Sequence, residues 1–461
     1  MGLLLATGTA HGDRHNPFGS AESLYLGEIP VVLSGTRLAQ PLTESPVAIT
    51  VIDREQIEAS GAREIPDLFR LVPGMLVGSR NGHDRDVGYL GILDAFSRRM
   101  QVLIDGRTAY DPLLGGVNWS ALPLDVEDIE RIEVIRGPNA ASFGTNAFLG
   151  TIIITTRHQF DPQRRHATVR TGSEGVFDVH AGLGNSHGPW SWHLKFGHRE
   201  DDGFAEIYDS KRVHSVSGDL DYELDLRTRV ELKAGYSDAT LFIEDTAGRR
   251  PIEAIEGFLL GRWAHDVGKE RGLALSAYHQ WTSWEEFGIF TDTADFGGLP
   301  LVVTAPVARD ADTRRSSLAL EKRFSPAVDW RGIWGGELRR DGARSLFDFN
   351  RGGWLDNDLA RLFGHLEWQL RDDLQLSAGA MWEESDLMDA EVSPRAGLIW
   401  HPRPGHTLRL SASRATRSPV LFEAYADQGA PLSTEPPLPP PVCQLLYGDP
   451  TTPCAVKSLL N

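Results

Sequence analysis

The residues best equipped for chemistry are few and scattered. Gly184-Asn-Ser186-His-Gly188 satisfies the G-x-S-x-G pattern that presents a nucleophilic serine at a strand-to-helix turn. It lies between two segments of alternating polarity and runs into Pro189, so it reads as a hairpin turn. No phosphate loop ending in Lys-Ser or Lys-Thr occurs, and no His-Glu-x-x-His helix. His11 and His15, spaced i,i+4, could face one metal on a helix, but their HGDRHNP surroundings read as a solvated tail. His193 and His198, five apart, point to opposite faces of a strand. Cys443 and Cys454 are the only 2 cysteines, which excludes a Cys-rich zinc module. Neither a catalytic constellation nor a resident cofactor or metal is expected, and the chain reads as a non-enzyme. A balance of 46 Lys plus Arg against 64 Asp plus Glu, net −18, does not suit a nucleic-acid partner.

The elements that must carry any function fall into two regions. Residues 29–157 mix strand and helix signals. Residues 47–52 are β-branched; Asp53 stands at an N-cap position ahead of a short helix that Gly61 closes. Residues 64–71 form a second short helix, stopped by Pro73-Gly74. Residues 102–106, 129–135 and 151–155 read as strands, giving a small α+β unit.

From about residue 166 the pattern changes to period-two alternation. Val230, Leu232, Ala234 and Tyr236 share one face, with Glu231, Lys233 and Ser237 on the other. Residues 216–224, 362–370 and 408–414 repeat it, and about a dozen such segments of about ten residues match the length and dyad period of membrane-spanning strands. Trp190, Trp192, Trp263, Trp281, Trp330, Trp382 and Trp400 mark strand ends as interfacial girdles do. Residues 226–228, 325–329 and 371–373 are expected as tight turns, and 238–256 and 284–312 as long loops on the opposite rim. Alternation alone leaves a soluble sheet protein open. No apolar run reaches the ~18 residues of a spanning helix.

Five ordered blocks carry a family resemblance: Pro46-Val-Ala-Ile-Thr-Val-Ile-Asp53-Arg-Glu-Gln-Ile57; Ile65-Pro-Asp-Leu-Phe-Arg-Leu-Val-Pro73-Gly74-Met75; Val102-Leu-Ile-Asp105-Gly106-Arg107; Asp128-Ile-Glu130-Arg131-Ile-Glu133-Val-Ile-Arg136-Gly137-Pro138; and Phe143-Gly144-Thr-Asn146-Ala147. Together they resemble the plug domain of TonB-dependent outer-membrane receptors. Ser393-Pro394-Arg395-Ala-Gly397-Leu and residues 408–419 resemble barrel strands of the same family. Leu90 stands where family plugs usually carry arginine.

The resemblance implies an N-terminal α+β plug domain followed by an antiparallel transmembrane β-barrel in the bacterial outer membrane. The expected divisions are 1–27 signal-like leader, 28–40 TonB-box-like segment and linker, 41–160 plug, 161–430 partial barrel, and 431–461 proline-rich tail. The leader's MGLLLATGTA is similar to the apolar core and cleavage site of a secretory signal without its basic start; an ordinary disordered terminus stays open. Residues after the plug suffice for about 12–13 strands of the family's about 22, so the barrel is expected to be truncated.

The resemblance also implies an energised receptor for a scarce solute, most often an iron chelate (siderophore), with a TonB-type energy-transducing protein and outer-membrane lipid as partners. The alternative is a non-transporting truncated relic or a plug-only binding fragment. Glu28, Ile29, Val31, Val32 and Leu33 form the expected TonB contact, an extended segment able to add as a strand. Arg80, Asn81, His83, Asp84 and Arg85, in the turn 78–86, could hold a carboxylate or metal chelate, and Tyr110 and Asp111 fall in the next such loop. Glu130, Arg131, Glu133 and Arg136 are expected plug–barrel contacts, with Arg131 and Glu133 on opposite strand faces. Cys443 and Cys454 are expected as a disulfide in an extracellular loop.

Overall fold

The computed structural model describes residues 31–32, 36–38, 40–93, 96, 98–157, 165–245, 248–268, 270–296, 299–403, 405–428, 431–435 and 456–457. The leader, Glu28, Ile29, Leu33, the proline run, Cys443 and Cys454 lie outside the described residues.

A short antiparallel pair opens the described chain, β1 (Val31–Val32) with β2 (Gln40–Pro41). β3 (Ala48–Ile52) leads into α1 (Arg54–Ser60), whose start is fixed by a reciprocal cap. Asp53 Oδ1 accepts from the Gln56 backbone N–H at 2.8 Å, and Gln56 Oε1 accepts from the Asp53 N–H at 3.2 Å. Gly61, at φ 66°, ends it in a conformation that favours glycine. α2 (Ile65–Leu68) runs into a single 3-10 turn and then the hairpin of β4 (Met75–Ser79) and β5 (Arg85–Tyr89). This hairpin narrows the expected turn 78–86 to the residues between the strands. Val77 opposite Val87 makes the pairing, and flanking glycines hide it from an alternation pattern.

β6 (Met100–Ile104) turns into β7 (Arg107–Thr108) through Asp105 and Gly106, both at positive φ, as a two-residue hairpin requires. β8 (Ile129–Arg136), α3 (Ala140–Phe143) and β9 (Gly150–Thr156) complete a sheet of order β3-β8-β9-β6-β7, in which β6 and β9 are parallel. Ile52, Ile57, Leu68, Phe69, Ile104, Ile132 and Ile154 are fully buried between this sheet and the helices. Each contributes about 1.5–3 kcal/mol, so the plug has a dry core of its own.

The rest of the chain is a wall of meandering antiparallel strands. In order they are β10 (His166–Thr171), β11 (Phe177–His187), β12 (Trp190–Asp201), β13 (Lys211–Asp225), β14 (Thr228–Asp245), β15 (Gly248–Asp266), β16 (Gly272–Phe296), β17 (Leu299–Ala308), β18 (Ala311–Ala327), β19 (Trp330–Arg344), β20 (Leu355–Arg371), β21 (Leu374–Ser385), β22 (Met388–Arg403) and β23 (His406–Ser413). Thirteen of them form one path from β10 to β23, and β17 hangs from β16 beside it. Among the described residues β10 and β23 do not pair with each other.

Burial on the wall is inverted relative to a water-soluble sheet. Leu232, Leu338 and Leu362 are 50, 64 and 61 % exposed, whereas Lys233, Arg361 and Glu367 are 6, 4 and 2 % exposed. Apolar side chains face outward and charges face the plug, which is the polarity of a membrane barrel and excludes the soluble-sheet alternative. Leu226-Arg227, Val328-Asp329 and Asp372-Asp373 are tight turns on one rim. Trp190 stacks near Tyr222 (centroids 4.1 Å) and Trp330 on Trp368 (4.9 Å) beside that rim.

The opposite rim corrects an expectation. Residues 238–256 and 284–312 are largely strand: β14 and β15 stay in register from Thr228 opposite His265 to Asp245 opposite Gly248. Strands of 18, 19 and 25 residues in β14, β15 and β16 exceed the ~9–11 that cross a bilayer, so paired ribbon projects beyond it. The Pro and acidic residues that look like loop markers are tolerated because that ribbon is in water.

Leu362→Arg places a charge on the outward face. It is expected to lower folding stability in lipid vesicles by about 2–4 kcal/mol if the site lies near the bilayer centre. Urea titration of tryptophan fluorescence measures this, and an unchanged midpoint would contradict a lipid-facing Leu362.

Candidate functional site

The plug meets the wall through charge. At the α1–α2 connection, Arg63 donates to both carboxylate oxygens of Asp178 on β11 (2.7 and 2.8 Å) and to Asp201 on β12 (2.5 Å). The next residue, Glu64, accepts from Arg85 at 2.7 Å and from the Lys211 ammonium on β13. Lys211 also lies 3.4 Å from Asp201, closing a buried knot. Burial alone would raise the Glu64 carboxyl, but Lys211 and Arg85 outweigh it and hold it at about 2.

The β6–β7 turn makes a second knot. Lys233 on β14 donates to Asp105 Oδ2 (2.9 Å) and Thr156 Oγ1 (2.9 Å), with Glu231 at 3.2 Å. Here too burial opposes ionisation, but Lys233 and the Thr156 hydrogen bonds hold Asp105 at about 2. Further round, Arg107 lies over the Phe258 ring at 3.5 Å, Tyr110 O accepts from Arg315 at 2.7 Å, Thr145 donates to Glu383, and Arg395 donates to Asn139. Thr36 donates to Glu367 at 3.0 Å.

A third knot joins the segment before β8 to the wall. Asp125 meets Arg199 at 3.0 Å; Asp128 meets His180 at 3.1 Å and Lys195 at 4.0 Å. Burial opposes ionisation of both carboxyls. It prevails at Asp125, which is pushed up, whereas the His180 hydrogen bond and Lys195 hold Asp128 down. Asp125, Asp128 and His180 approach closely enough to share a cation. Both carboxylates, however, already face protein cations, so the trio is an ion-pair network.

The residues singled out from sequence divide. His83 is buried, with Nε2 2.9 Å from the Phe242 carbonyl, and is corrected from a cargo-facing to a plug–wall position; Arg85 is corrected to a contact within the plug, where it is committed to Glu64. Asn81 Oδ1 accepts from the His83 and Asp84 N–H groups (3.0 and 2.6 Å), shaping the turn. Arg80 is exposed, 3.6 Å from Asp84 and 3.3 Å from Asp86. Arg131 pairs with Glu133 at 3.0 Å within the plug, because residues two apart share a strand face; the opposite-face expectation is corrected. Glu130 lies 3.7 Å from Arg157, also in the plug, and Arg136 is half-buried at the end of β8. Among the described residues, ion pairs joining plug to wall include those of Arg63, Glu64, Asp105, Asp125, Glu127 and Asp128. The signal for them was present in the charged residues on the polar face of alternating strands, such as Lys195, Lys211 and Lys233, which a filled lumen obliges to find partners.

Tyr110 and Asp111 line a small cavity of about 30 Å³ between the plug and β18–β20. Burial pushes both the Tyr110 phenol and the Asp111 carboxyl up. Arg315, Arg339 and Arg361 supply its cationic side and Asp341 its counter-charge, with Arg315 Nε 2.6 Å from Asp341. The buried Asn357 Oδ1 at its edge has no hydrogen-bond partner. Leu387, in the β21–β22 connection, places the cavity toward the rim of projecting ribbons. Its lining offers cationic and hydrogen-bonding groups suited to oxygen-rich or anionic atoms and no nucleophile–base pair, and the space as it stands holds only about two or three waters.

Residues 41–151 match the model of the TonB-dependent receptor plug domain, and 147–448 that of the TonB-dependent receptor-like β-barrel. The chain belongs to the TonB-dependent receptors. Members of this family reside in the bacterial outer membrane. The receptor is 24 % identical over 417 residues to the iron-regulated outer membrane virulence protein of Vibrio cholerae, covering 87 % of this chain and 61 % of that one. It is 31 % identical over 163 residues to the vitamin B12 transporter BtuB of Photobacterium profundum, covering 35 % and 26 %. The chain thus spans about three-fifths of the length of the Vibrio relative. Among solved structures, the ferric-catecholate import receptor Fiu of E. coli K12 shares its fold with TM-score 0.66 at 13 % identity, covering 86 % of this chain and 72 % of that one. The ferripyoverdine receptor of Pseudomonas aeruginosa does so with TM-score 0.68 at 13 % identity, covering 88 % and 63 %.

Glu64 gives the receptor an acid-sensitive plug contact. Its carboxyl lies below the ordinary 4.5, so its contribution is complete above that pH and is lost as pH falls toward 2. Glu64→Gln is expected to cost about 3 kcal/mol at neutral pH, the low end for breaking a buried pair, since Asp201 still faces Lys211. It should also flatten the acid-unfolding curve over that window, measured by near-ultraviolet circular dichroism.

Proposed function

We propose that this receptor takes up a scarce solute across the outer membrane, with an iron chelate as cargo. The observation that carries this reading is the plug itself. It occupies the space inside the wall and is tied to strands from β11 round to β22, so a solute in the outer cavity passes inward only after the plug moves. Moving it breaks several buried ion pairs and so requires external work. A TonB-type partner acting on the N-terminal segment would supply that work.

The described part of that segment, β1, is paired with β2, Val32 opposite Gln40. A partner strand would replace β2 as the hydrogen-bonding neighbour of β1. Iron is the cargo favoured by the iron-regulated Vibrio relative and by the ferric-catecholate and ferripyoverdine receptors among the structural neighbours. The arginine side of the cavity suits the carboxylate or catecholate oxygens of such chelates.

Uptake of radiolabelled ferric chelates by iron-starved cells lacking their own receptors tests the reading. Accumulation should occur and should stop when a protonophore collapses the membrane potential. Val32→Pro removes a backbone donor from β1, and is expected to reduce energised uptake to background while surface binding of the chelate stays at the unsubstituted level. Normal uptake by this variant would sink the role given to β1, and absence of binding across ferric chelates would sink the cargo.

A further inference from the structure

The plug is held to its wall in two different ways. From β10 to β14 each strand meets the plug through a pair of opposite charges. Arg170 lies 3.0 Å from Glu127, Asp178 2.7 Å from Arg63, Arg199 3.0 Å from Asp125 and Lys233 2.9 Å from Asp105, while Lys211 binds Glu64. On β18–β22 the charges of the wall meet neutral groups of the plug. Arg315 donates to the Tyr110 carbonyl at 2.7 Å, Glu383 accepts from the Thr145 hydroxyl, and Arg395 donates to the Asn139 side chain and to Ser142 Oγ, the latter at 3.2 Å. Asp111, a plug acid on this side, accepts from the N–H of Leu113 in its own turn at 2.9 Å.

The wall explains the difference. Arg315 of β18 is paired with Asp341 of β19 at 2.6 Å, and Arg361 of β20 lies 3.2 Å from Glu337 of β19 and 3.0 Å from Glu383 of β21. These charges keep their partners when the plug withdraws, and water replaces the hydrogen bonds they lose. On β10–β14 withdrawal would part buried opposite charges strand by strand, the more costly separation. The cavity of about 30 Å³ bordered by Tyr110, Thr145, Arg315 and Arg361 already interrupts the seam at β18–β20.

The segment on which an inward pull would act enters on the same side. Thr36 donates to Glu367 of β20 at 3.0 Å, and Leu38 is buried among Ile333, Phe363 and Met381 of β19–β21. Between them, Arg37 Nε donates to the Ser142 carbonyl of α3 at 2.7 Å. Tension along residues 36–38 is therefore delivered to α3, which packs against β20–β22.

We infer that the plug swings away from β18–β22 about its charged seam with β10–β14, and that the solute's passage opens along the inner face of β18–β22. The inference rests on the transport reading above and adds the side on which the plug yields. The passage so formed is lined by guanidinium and carboxylate groups in alternation, Arg315, Asp341, Arg361 and Glu337 among them. Such a surface exchanges hydrogen bonds with an oxygen-rich solute and offers little to an apolar one.

The test compares two equally buried plug serines in the whole chain in detergent, with Cys443 and Cys454 replaced by serine. Ser142 faces Arg395 of β22, and the Ser120 carbonyl accepts from Arg199 of β12. In urea below the unfolding transition, a small maleimide should label Ser142→Cys about tenfold faster than Ser120→Cys, because the seam at β22 opens first. Asp125→Asn, which removes the acid facing Arg199, should speed labelling of Ser120→Cys severalfold and leave that of Ser142→Cys unchanged. In cells, a short bis-maleimide joining Thr145→Cys to Glu383→Cys should reduce uptake of ferric chelate to background, whereas one joining Ala121→Cys to Ser237→Cys, on the β14 side, should leave at least half of it. Equal labelling of the two serine sites, faster labelling of Ser120→Cys, an equal effect of Asp125→Asn on both, or uptake that survives the Thr145 crosslink overturns the inference. Absence of uptake before any crosslink counts against the transport reading alone, since the labelling comparison needs neither cargo nor partner.

Discussion

Every charge on the inner face of the wall has to be neutralised in place. Lys211, Lys233, Arg395, Glu367 and Asp341 are buried on strands whose other face is apolar, so none can turn outward to water. A buried charge without a partner costs several kcal/mol, and Lys211 and Lys233 each face one carboxylate of the wall and one of the plug. Glu64 and Asp105 therefore fix where the plug sits as firmly as the strand register fixes the wall. The wall's polarity and the plug's position are one constraint seen from two sides.

The plug's own stability has a different origin. Its helices and sheet close on an apolar core that needs nothing from the wall. Between plug and wall the apolar contacts are small patches, such as Leu38 with Ile333, Phe363 and Met381. This division separates internal cohesion from attachment. Pulling an apolar face away from a wall would expose oil to water, whereas pulling an ionic face away lets water hydrate each charge as its pair breaks. A body held by charges can leave its seat while remaining folded.

Much of this could be read in the sequence where the determining residues are neighbours. The Asp53 cap, the Gly61 stop, the Asp105-Gly106 turn and the two-residue alternation of the wall are local, and the structure reproduces them. Long-range pairing was harder. Alternation places Lys233 on the polar face, but its partner Asp105 lies 128 positions earlier, and nothing local connects them. Composition misled at His83, where a charged, glycine-flanked turn looks solvent-facing; the His83 ring is instead buried, 2.9 Å from the Phe242 carbonyl. It misled again at residues 238–256, because proline and acidic residues end a strand only where its backbone would otherwise be buried.

β16 changes partner along its length. Residues from Gly272 to Trp284 pair with β18, and those from Phe287 to Phe296 pair with β17, while β15 accompanies the strand as far as Glu286. The sheet forks there, and beyond Glu286 the strand continues as a two-stranded ribbon with β17. An ordinary loop at this rim would sample many shapes and lose entropy on closing round a solute. The fork instead makes the mouth a stiff flange whose outline is set by strand pairing, so the size of what may enter is decided before anything arrives.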